Sequence, residues 1–83
     1  MTIKEFAKGI KALHTLPVAY IAIIFSTETK SYHLEVEESM TTISGVYDTQ
    51  TNSLPQARQM AEELEKELAP IRVCQTRDEW ENA

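Results

Sequence analysis

The hydrophobic residues of this chain are concentrated in one run, at residues 16–26. Nearly every residue there is apolar, and most of the apolar ones are β-branched or aromatic. Such a run, opened by a proline at its second position, predicts a central strand that is buried on both faces. The rest of the chain would then supply the elements that cover this strand.

Two segments repeat their apolar residues with the 3.6-residue period of a helix. The first, residues 2–14, begins with Thr2 and Glu5 at the spacing of a capping box. The second, residues 53–68, begins with an equivalent Ser-x-x-Gln and is followed by Pro70. The predicted buried faces are Ile3, Phe6, Ala7, Ile10, Leu13 and His14 in the first helix, and Leu54, Ala57, Met60, Ala61, Leu64 and Leu68 in the second.

Three other segments have the pattern of strands. Residues 31–37 alternate apolar and polar, which is typical of a strand with one covered and one solvated face. The short polar break at residues 27–30 predicts an antiparallel hairpin with the central strand. Residues 42–48 predict a strand with a bulge at Gly45, and residues 71–76 predict a short strand.

The end of the chain predicts a short helical turn, because Thr76 and Glu79 have capping-box spacing and Trp80 follows them. The complete order is α-β-β-β-α-β. We therefore expect a single α+β domain over residues 1–83, with an antiparallel sheet of three to four strands and both helices packed on one face.

The composition is that of an ordinary globular domain, with 42% hydrophobic and 25% charged residues among 83. A chain this short has modest stability, which an oligomer or a bound partner would raise. Residues 1–30 carry four lysines and two glutamates, a balance of +2, whereas residues 31–83 carry four basic and eleven acidic residues, a balance of −7, and the sum is −5. This acidic part is repelled by phosphate backbones, so we expect no nucleic-acid binding. It favours a basic protein partner or serves solubility.

The three lysines of the first helix, Lys4, Lys8 and Lys11, form a stripe that is either a solvated flank or a small basic patch for an acidic partner or phosphate. Basic residues before the apolar run of residues 16–26 also have the layout of a secretory signal. Glu5 among the lysines and the lack of a small-x-small cleavage site argue against a signal, and the run is too short to span a bilayer. We therefore expect a cytoplasmic protein without membrane contact.

Few residues suggest chemistry. Cys74 is the single cysteine, so it forms no internal disulfide, and its strand pattern predicts a small buried residue. His33, Glu35 and Glu37 share the polar face of the second strand. A small enzyme or metal-binding domain would use His33, Glu35 and Cys74. Because the sequence has no phosphate loop, nucleophile elbow or paired-His metal motif, we expect neither catalysis nor a metal or cofactor.

The acidic residues and Trp80 are the candidate contacts for a partner. A tryptophan near a chain end either covers the core or anchors a partner protein. The predicted binding residues are Glu35, Glu37, Glu38, Glu62, Glu63, Glu65 and Trp80.

The order of helix, three strands and helix resembles that of double-stranded RNA-binding domains. Those domains carry a basic cluster at the start of the second helix, where this chain has Gln56, Arg58, Glu62 and Glu63. RNA binding is therefore not implied.

The sequences Ile-Ser-Gly-Val-Tyr at residues 43–47 and Ser-Leu-Pro-Gln-Ala at residues 53–57 resemble the strand, loop and helix of HicB-like antitoxins, which implies occlusion of a small toxin. In size and acidity the chain also resembles phage and plasmid accessory proteins such as anti-CRISPR inhibitors. We predict a non-catalytic regulator or inhibitor, of the kind that phages or other mobile elements encode, which binds another protein. The alternatives are the small enzyme or metal-binding domain and a HicB-like antitoxin. Self-association into a homodimer through an exposed strand edge is also compatible with the small size.

Overall fold

The elements follow the predicted order. The computed structural model describes residues 1–39 and 42–80, and for residue 39 and residues 75–80 it describes the backbone alone. The α+β class and the order α-β-β-β-α-β are confirmed. The elements are α1 (Ile3–Leu13), β1 (Val18–Ser26), β2 (Ser31–Ser39), β3 (Thr42–Asp48), α2 (Leu54–Glu67) and β4 (Arg72–Trp80).

The sheet is mixed rather than fully antiparallel. Its strand order is β3-β2-β1-β4, with antiparallel pairs between β1 and β2 and between β2 and β3, and a parallel pair between β1 and β4. The prediction of an antiparallel sheet is thus wrong for this last pair. The reason lies in the connection: β3 runs in the same direction as β1, and α2 carries the chain back along the sheet, so β4 again runs parallel to β1.

The C-terminal helical turn predicted at residues 76–79 is also wrong, because β4 continues to Trp80. The pairing with β1 extends from Val18 opposite Arg72 to Phe25 opposite Trp80. It satisfies backbone N–H and C=O groups of β1 that would otherwise lack partners on this side. That set of hydrogen bonds outweighs a local capping signal.

The predicted helix starts are confirmed, with one difference. In α1 the N–H of Thr2 donates to Glu5 Oε1 at 2.8 Å, and the N–H of Glu5 donates to Thr2 Oγ1 at 3.1 Å. The Thr2 N–H stabilises the ionised carboxylate and, with a smaller effect of the Thr2 hydroxyl, lowers the pKa of Glu5. In α2 the N–H of Gln56 donates to Ser53 Oγ at 3.4 Å, but Gln56 Oε1 accepts from the Thr51 hydroxyl instead of completing the box.

Both helices pack on one face of the sheet, as predicted. β1 alternates between this face and the other, so its odd-numbered residues are buried under the helices. On the other face neither helix covers β1: Tyr20 and Ile24 are half-buried, whereas Ala22 between them is fully buried. The prediction that β1 is buried on both faces therefore holds for Ala22 and is wrong for Tyr20 and Ile24, since the chain uses both of its helices on the first face. The core consists of Ile3, Phe6, Ala7, Ile10, Ala19, Ile21, Ile23, Tyr32, Leu34, Val36, Ala57, Ala61, Leu64 and Leu68.

The predicted irregularity at Gly45 is confirmed and has a packing cause. Val36 pairs with Gly45 but Glu37 pairs with Ile43, which leaves one residue of β3 as a bulge. A Cβ atom at position 45 would lie 2.7 Å from Ile10 Cδ1. The absence of a side chain therefore lets α1 approach β3 closely.

Candidate protein-binding surface

The face of the sheet that the helices leave uncovered is called the open face below. In antiparallel strands, residues directly opposite one another lie on the same face, and the register gives three rows across β1, β2 and β3. The rows are Tyr20, Glu37 and Ile43; Ala22, Glu35 and Val46; and Ile24, His33 and Asp48.

Apolar side chains remain accessible on the open face. Ile43 is 54% and Val46 48% exposed, and Tyr20 and Ile24 are half-buried. Acidic residues stand between them on β2, where Glu35 is half-buried and Glu37 is buried. The acidic residues thus lie between the apolar side chains of β1 and those of β3. Exposed apolar side chains grouped on one face make it a candidate contact surface.

Ile43 and Val46 were missed in the sequence analysis because they differ in parity along β3. In a regular strand an odd and an even residue point to opposite faces. The bulge before Gly45 shifts this alternation, so Ile43 and Val46 lie on the same face. Gly45 is the sequence feature that indicates this shift. A bulge beside the glycine moves Ile43, which precedes it, to the face that Val46 occupies.

The structure separates the predicted acidic set. Glu35 and Glu37 lie on the open face, whereas the α2 glutamates lie on the exposed side of the helix layer, on the opposite side of the molecule. Glu38 contacts the segment after α1, where its Oε1 accepts from the Thr15 N–H at 3.2 Å. The predicted acidic residues therefore belong to separate surfaces. The α2 members are Glu62, Glu63 and Glu65.

Trp80 is the last residue of β4. Its side chain lies outside the described part of the structure, so its role as a lid or an anchor stays a prediction.

His14 is a buried structural residue. It caps the C-terminus of α1, and its side chain is fully buried. Nε2 lies 2.8 Å from the carbonyl oxygen of Val18, and Nδ1 lies 3.2 Å from Ser44 Oγ. Glu38 Oε1 is 3.7 Å from Nδ1. This agrees with the prediction that His14 lies on the buried face of the first helix, and the contacts join the end of α1 to β1, β2 and β3.

A polar cluster closes the β1–β2 hairpin. The Ser31 hydroxyl donates to Asp48 Oδ1 at 2.9 Å, and Thr29 Oγ1 lies 2.8 Å from Ser31 Oγ and 3.2 Å from His33 Nε2. The pKa of Asp48 is lowered, first by the hydrogen bond from the Gln50 N–H and then by the Ser31 hydroxyl, with a smaller effect of His33. Ser31 therefore donates to the Asp48 carboxylate, while Thr29 is the hydroxyl that lies beside His33.

The residues proposed for an enzyme or metal site are not gathered. Cys74 lies between the register positions of Ala19 and Tyr20, whereas His33 is opposite Ile24. The separation along β1 is roughly 13 Å at strand rise. The hollow that His33 lines is completed by residues 24–28. Among the described residues, no group of three or more His, Cys, Asp or Glu could hold a metal ion.

Cys74 is exposed, which contradicts the predicted burial. Val73 pairs with Ala19 and Gln75 pairs with Tyr20, so Cys74 is the extra residue at an irregularity of β4. An extra residue of this kind leaves the regular alternation of the strand, which accounts for the exposure.

The lysine stripe lines a groove between the two helices together with Thr2, Glu5 and Glu67. Lys11 Nζ donates to the carbonyl oxygen of Ala69 at 3.1 Å, so this lysine ties α1 to the end of α2. Two acidic residues in the same groove reduce its positive charge. The role of Lys4 and Lys8 as a flank or a patch stays a prediction.

No protein-family model, curated protein or solved structure matches this chain. Neither helix of the described residues is long and apolar enough to cross a membrane.

Proposed function

We propose that this chain is a non-catalytic regulatory or inhibitory protein that binds another protein through its open face. The observation that carries the proposal is the accessible apolar surface of Tyr20, Ile24, Ile43 and Val46 on one face of the sheet. The two helices bury most of their apolar residues against the other face of the sheet. Leu13, predicted on the buried face of α1, is the exception at 75% exposed, because it is the last residue of the helix.

Covering this surface would be favourable. Burying a complete Val or Ile side chain contributes about 1.5–3 kcal/mol. Ile43 and Val46 are each about half exposed, so a partner that covers them would gain roughly 1 kcal/mol from each. The outer surface of α2 offers no comparable gain, because its exposed residues are mainly charged.

Charge favours a basic partner. The protein has a net charge of −5, and Glu35 lies half-buried within the open face, whereas Glu37 beside it is buried. Charge complementarity at an interface raises the association rate and excludes partners of like charge more than it adds affinity. We propose basic residues on the partner's contact surface, and binding that weakens as salt is raised. We further propose a cytoplasmic location, consistent with a single exposed cysteine, and an origin in a phage or other mobile element.

The proposal is tested by affinity capture from a lysate of the source organism, with wild type and two variants. Ile43→Lys changes the open face, and Leu13→Lys makes the same change at the end of α1, where Leu13 is 75% exposed. Both residues are exposed, so both variants should fold. We expect a salt-sensitive partner with wild type and Leu13→Lys, and its loss with Ile43→Lys. Equal capture by both variants, or no partner at low salt, would contradict the proposal.

A second pair of variants separates the two acidic surfaces. Glu35→Gln removes a charge from the open face, and Glu62→Gln removes one from the exposed side of α2. With the captured partner in a calorimetric titration, Glu35→Gln should weaken binding several-fold and Glu62→Gln should leave it unchanged. If Glu62→Gln weakened binding more than Glu35→Gln, the contact would lie on α2 and not on the open face.

A further inference from the structure

We propose that His14 is a positioning residue, which holds Ile43 on the open face by fixing two irregularities in the pairing of β2 with β3. The placement of Ile43 is a property of the free protein. Its consequence for binding rests on the proposed function, in which Ile43 contacts the partner.

Ser44 is an extra residue of β3. Val36 pairs with Gly45 and Glu37 pairs with Ile43, so Ser44 between them has no residue opposite it on β2. In a regular antiparallel pair of strands, Glu37 would pair with Ser44. This bulge therefore brings Ile43 opposite Glu37.

Glu38 is an extra residue of β2 and compensates for the bulge of β3. The pairs on either side of it are Glu37 with Ile43 and Ser39 with Thr42. Because each strand has one extra residue, the register is the same before the first irregularity and after the second. The two irregularities therefore displace a single pair, and the rest of the hairpin would keep its register without them.

Regular pairing would place Ile43 on the other face of the sheet. A Cβ at Gly45 would meet side chains of α1, so position 45 faces the helices. Because successive residues of a regular strand alternate between faces, Ser44 would then lie on the open face and Ile43 on the helix side. In the structure Ile43 is instead 54% exposed. Burial of an isoleucine is favourable, so another contact has to hold the irregular arrangement.

His14 contacts both extra residues. Its side chain is fully buried, and its Nδ1 lies 3.2 Å from Ser44 Oγ and 3.7 Å from Glu38 Oε1. A carbonyl oxygen only accepts, so Nε2, which is 2.8 Å from the Val18 oxygen, carries a proton. In the neutral ring Nδ1 is then an acceptor, and the Ser44 hydroxyl donates to it. Regular pairing would turn Ser44 away and leave the buried Nδ1 without its donor, which is unfavourable.

The residue after His14 holds the extra residue of β2. Glu38 Oε1 accepts from the Thr15 N–H at 3.2 Å and from the Thr15 hydroxyl at 3.4 Å. His14 and Thr15 thus contact the extra residue of each strand. Removal of the imidazole would favour regular pairing, because it removes the acceptor for Ser44 and leaves a cavity that Ile43 would fill.

NMR of the free protein tests the placement of Ile43 without a partner. In wild type, nuclear Overhauser effects (NOEs) should join the backbone of Glu37 to that of Ile43. In His14→Ala they should be replaced by NOEs that join Glu37 to Ser44 and Glu38 to Ile43. NOEs between Glu37 and Ile43 that persist unchanged in folded His14→Ala would overturn the proposal.

Substitutions of Ser44 test the same contact in variants that keep the imidazole. Ser44→Ala removes the donor hydroxyl and Ser44→Thr keeps it, while Thr42→Ala removes a hydroxyl from an exposed position of the same strand. Methyl relaxation dispersion at Ile43 measures the population of the regular pairing. We expect this population to rise about tenfold in Ser44→Ala, as for one lost hydrogen bond, and to match wild type in the other two variants. Equal dispersion in Ser44→Ala and Thr42→Ala would overturn the proposal.

Titration of His14→Ala with the partner that wild type captures connects the pairing to binding. We expect binding to weaken several-fold, because the apolar side chain of Ile43 has left the contact surface. If the NOEs change and the affinity does not, the proposed function is contradicted and the positioning role of His14 stands. If the NOEs do not change, the positioning role is overturned whatever the affinity.

Discussion

The two glycines of this chain provide a matched test of its packing. Gly9 lies on the exposed side of α1, where an added Cβ would meet nothing within 4 Å. A Cβ at Gly45 would lie 2.7 Å from Ile10 Cδ1 and 3.2 Å from Phe6 Cε1. Glycine to alanine is the same chemical change at both positions, and it lowers the entropy of the unfolded chain by a similar amount. The difference in unfolding free energy between the two variants therefore reports how each added Cβ fits in the folded protein.

The two substitutions should change the free energy of unfolding in opposite directions. Gly9→Ala should stabilise the protein by about 1 kcal/mol, the difference in helix propensity. At Gly45 the gain of roughly 0.5–1 kcal/mol from the unfolded chain is outweighed by overpacking, which costs about 1–3 kcal/mol. Ile10 cannot yield freely, because it is only 3% exposed and lies within the core. We expect a net loss of about 1 kcal/mol for Gly45→Ala.

Thermal unfolding followed by circular dichroism measures both effects. For a domain of this size 1 kcal/mol shifts the melting temperature by about 4–8 °C, so the two variants should differ by roughly 10–15 °C with wild type between them. The account of α1 packing against β3 would be refuted if Gly45→Ala melted at or above the wild-type temperature.

Two further predictions concern polar contacts. His14→Ala should lose about 2–3 kcal/mol in urea unfolding, because the buried imidazole is the hydrogen-bond partner of the Val18 carbonyl. His33→Ala, at a half-buried position, should lose much less, and equal losses would contradict the role of His14. Asp48→Asn should melt below wild type at neutral pH, because the lowered pKa of Asp48 means that the folded state favours its charged form. That contribution is fully present above the ordinary aspartate pKa of about 3.9 and is lost as the pH falls through the lower folded-state value, so the two melting temperatures should converge in acid. A difference that persists unchanged at low pH would contradict this.

The features predicted correctly are those fixed by neighbouring residues. The capping box of Thr2 and Glu5 forms within one helical turn, and the alternation of residues 31–37 defines one face of β2. Gly45 marks a bulge because only a residue without a side chain fits beneath α1 at that point.

The features predicted wrongly depend on distant parts of the chain. The direction of β4 follows from the path of α2, and the strand ending at Trp80 replaces a helical turn because β1 offers an unpaired edge. The exposure of Cys74 follows from an irregularity in that same pairing. None of these pairings is encoded near the residues that they affect.

The candidate site was predicted only in part. Charge alone selected Glu35 and Glu62, but their assignment to opposite sides of the molecule requires the packing of α2 on the sheet. The apolar members Ile43 and Val46 were missed because the bulge changes which face each one occupies.

The central claim, binding through the open face, is tested most directly by methyl NMR of the isotope-labelled protein titrated with its captured partner. The account predicts that the largest shifts occur at the methyl groups of Ile24, Ile43 and Val46, whereas those of Leu13, exposed at the end of α1, stay in place. Shifts confined to residues outside the open face would contradict it.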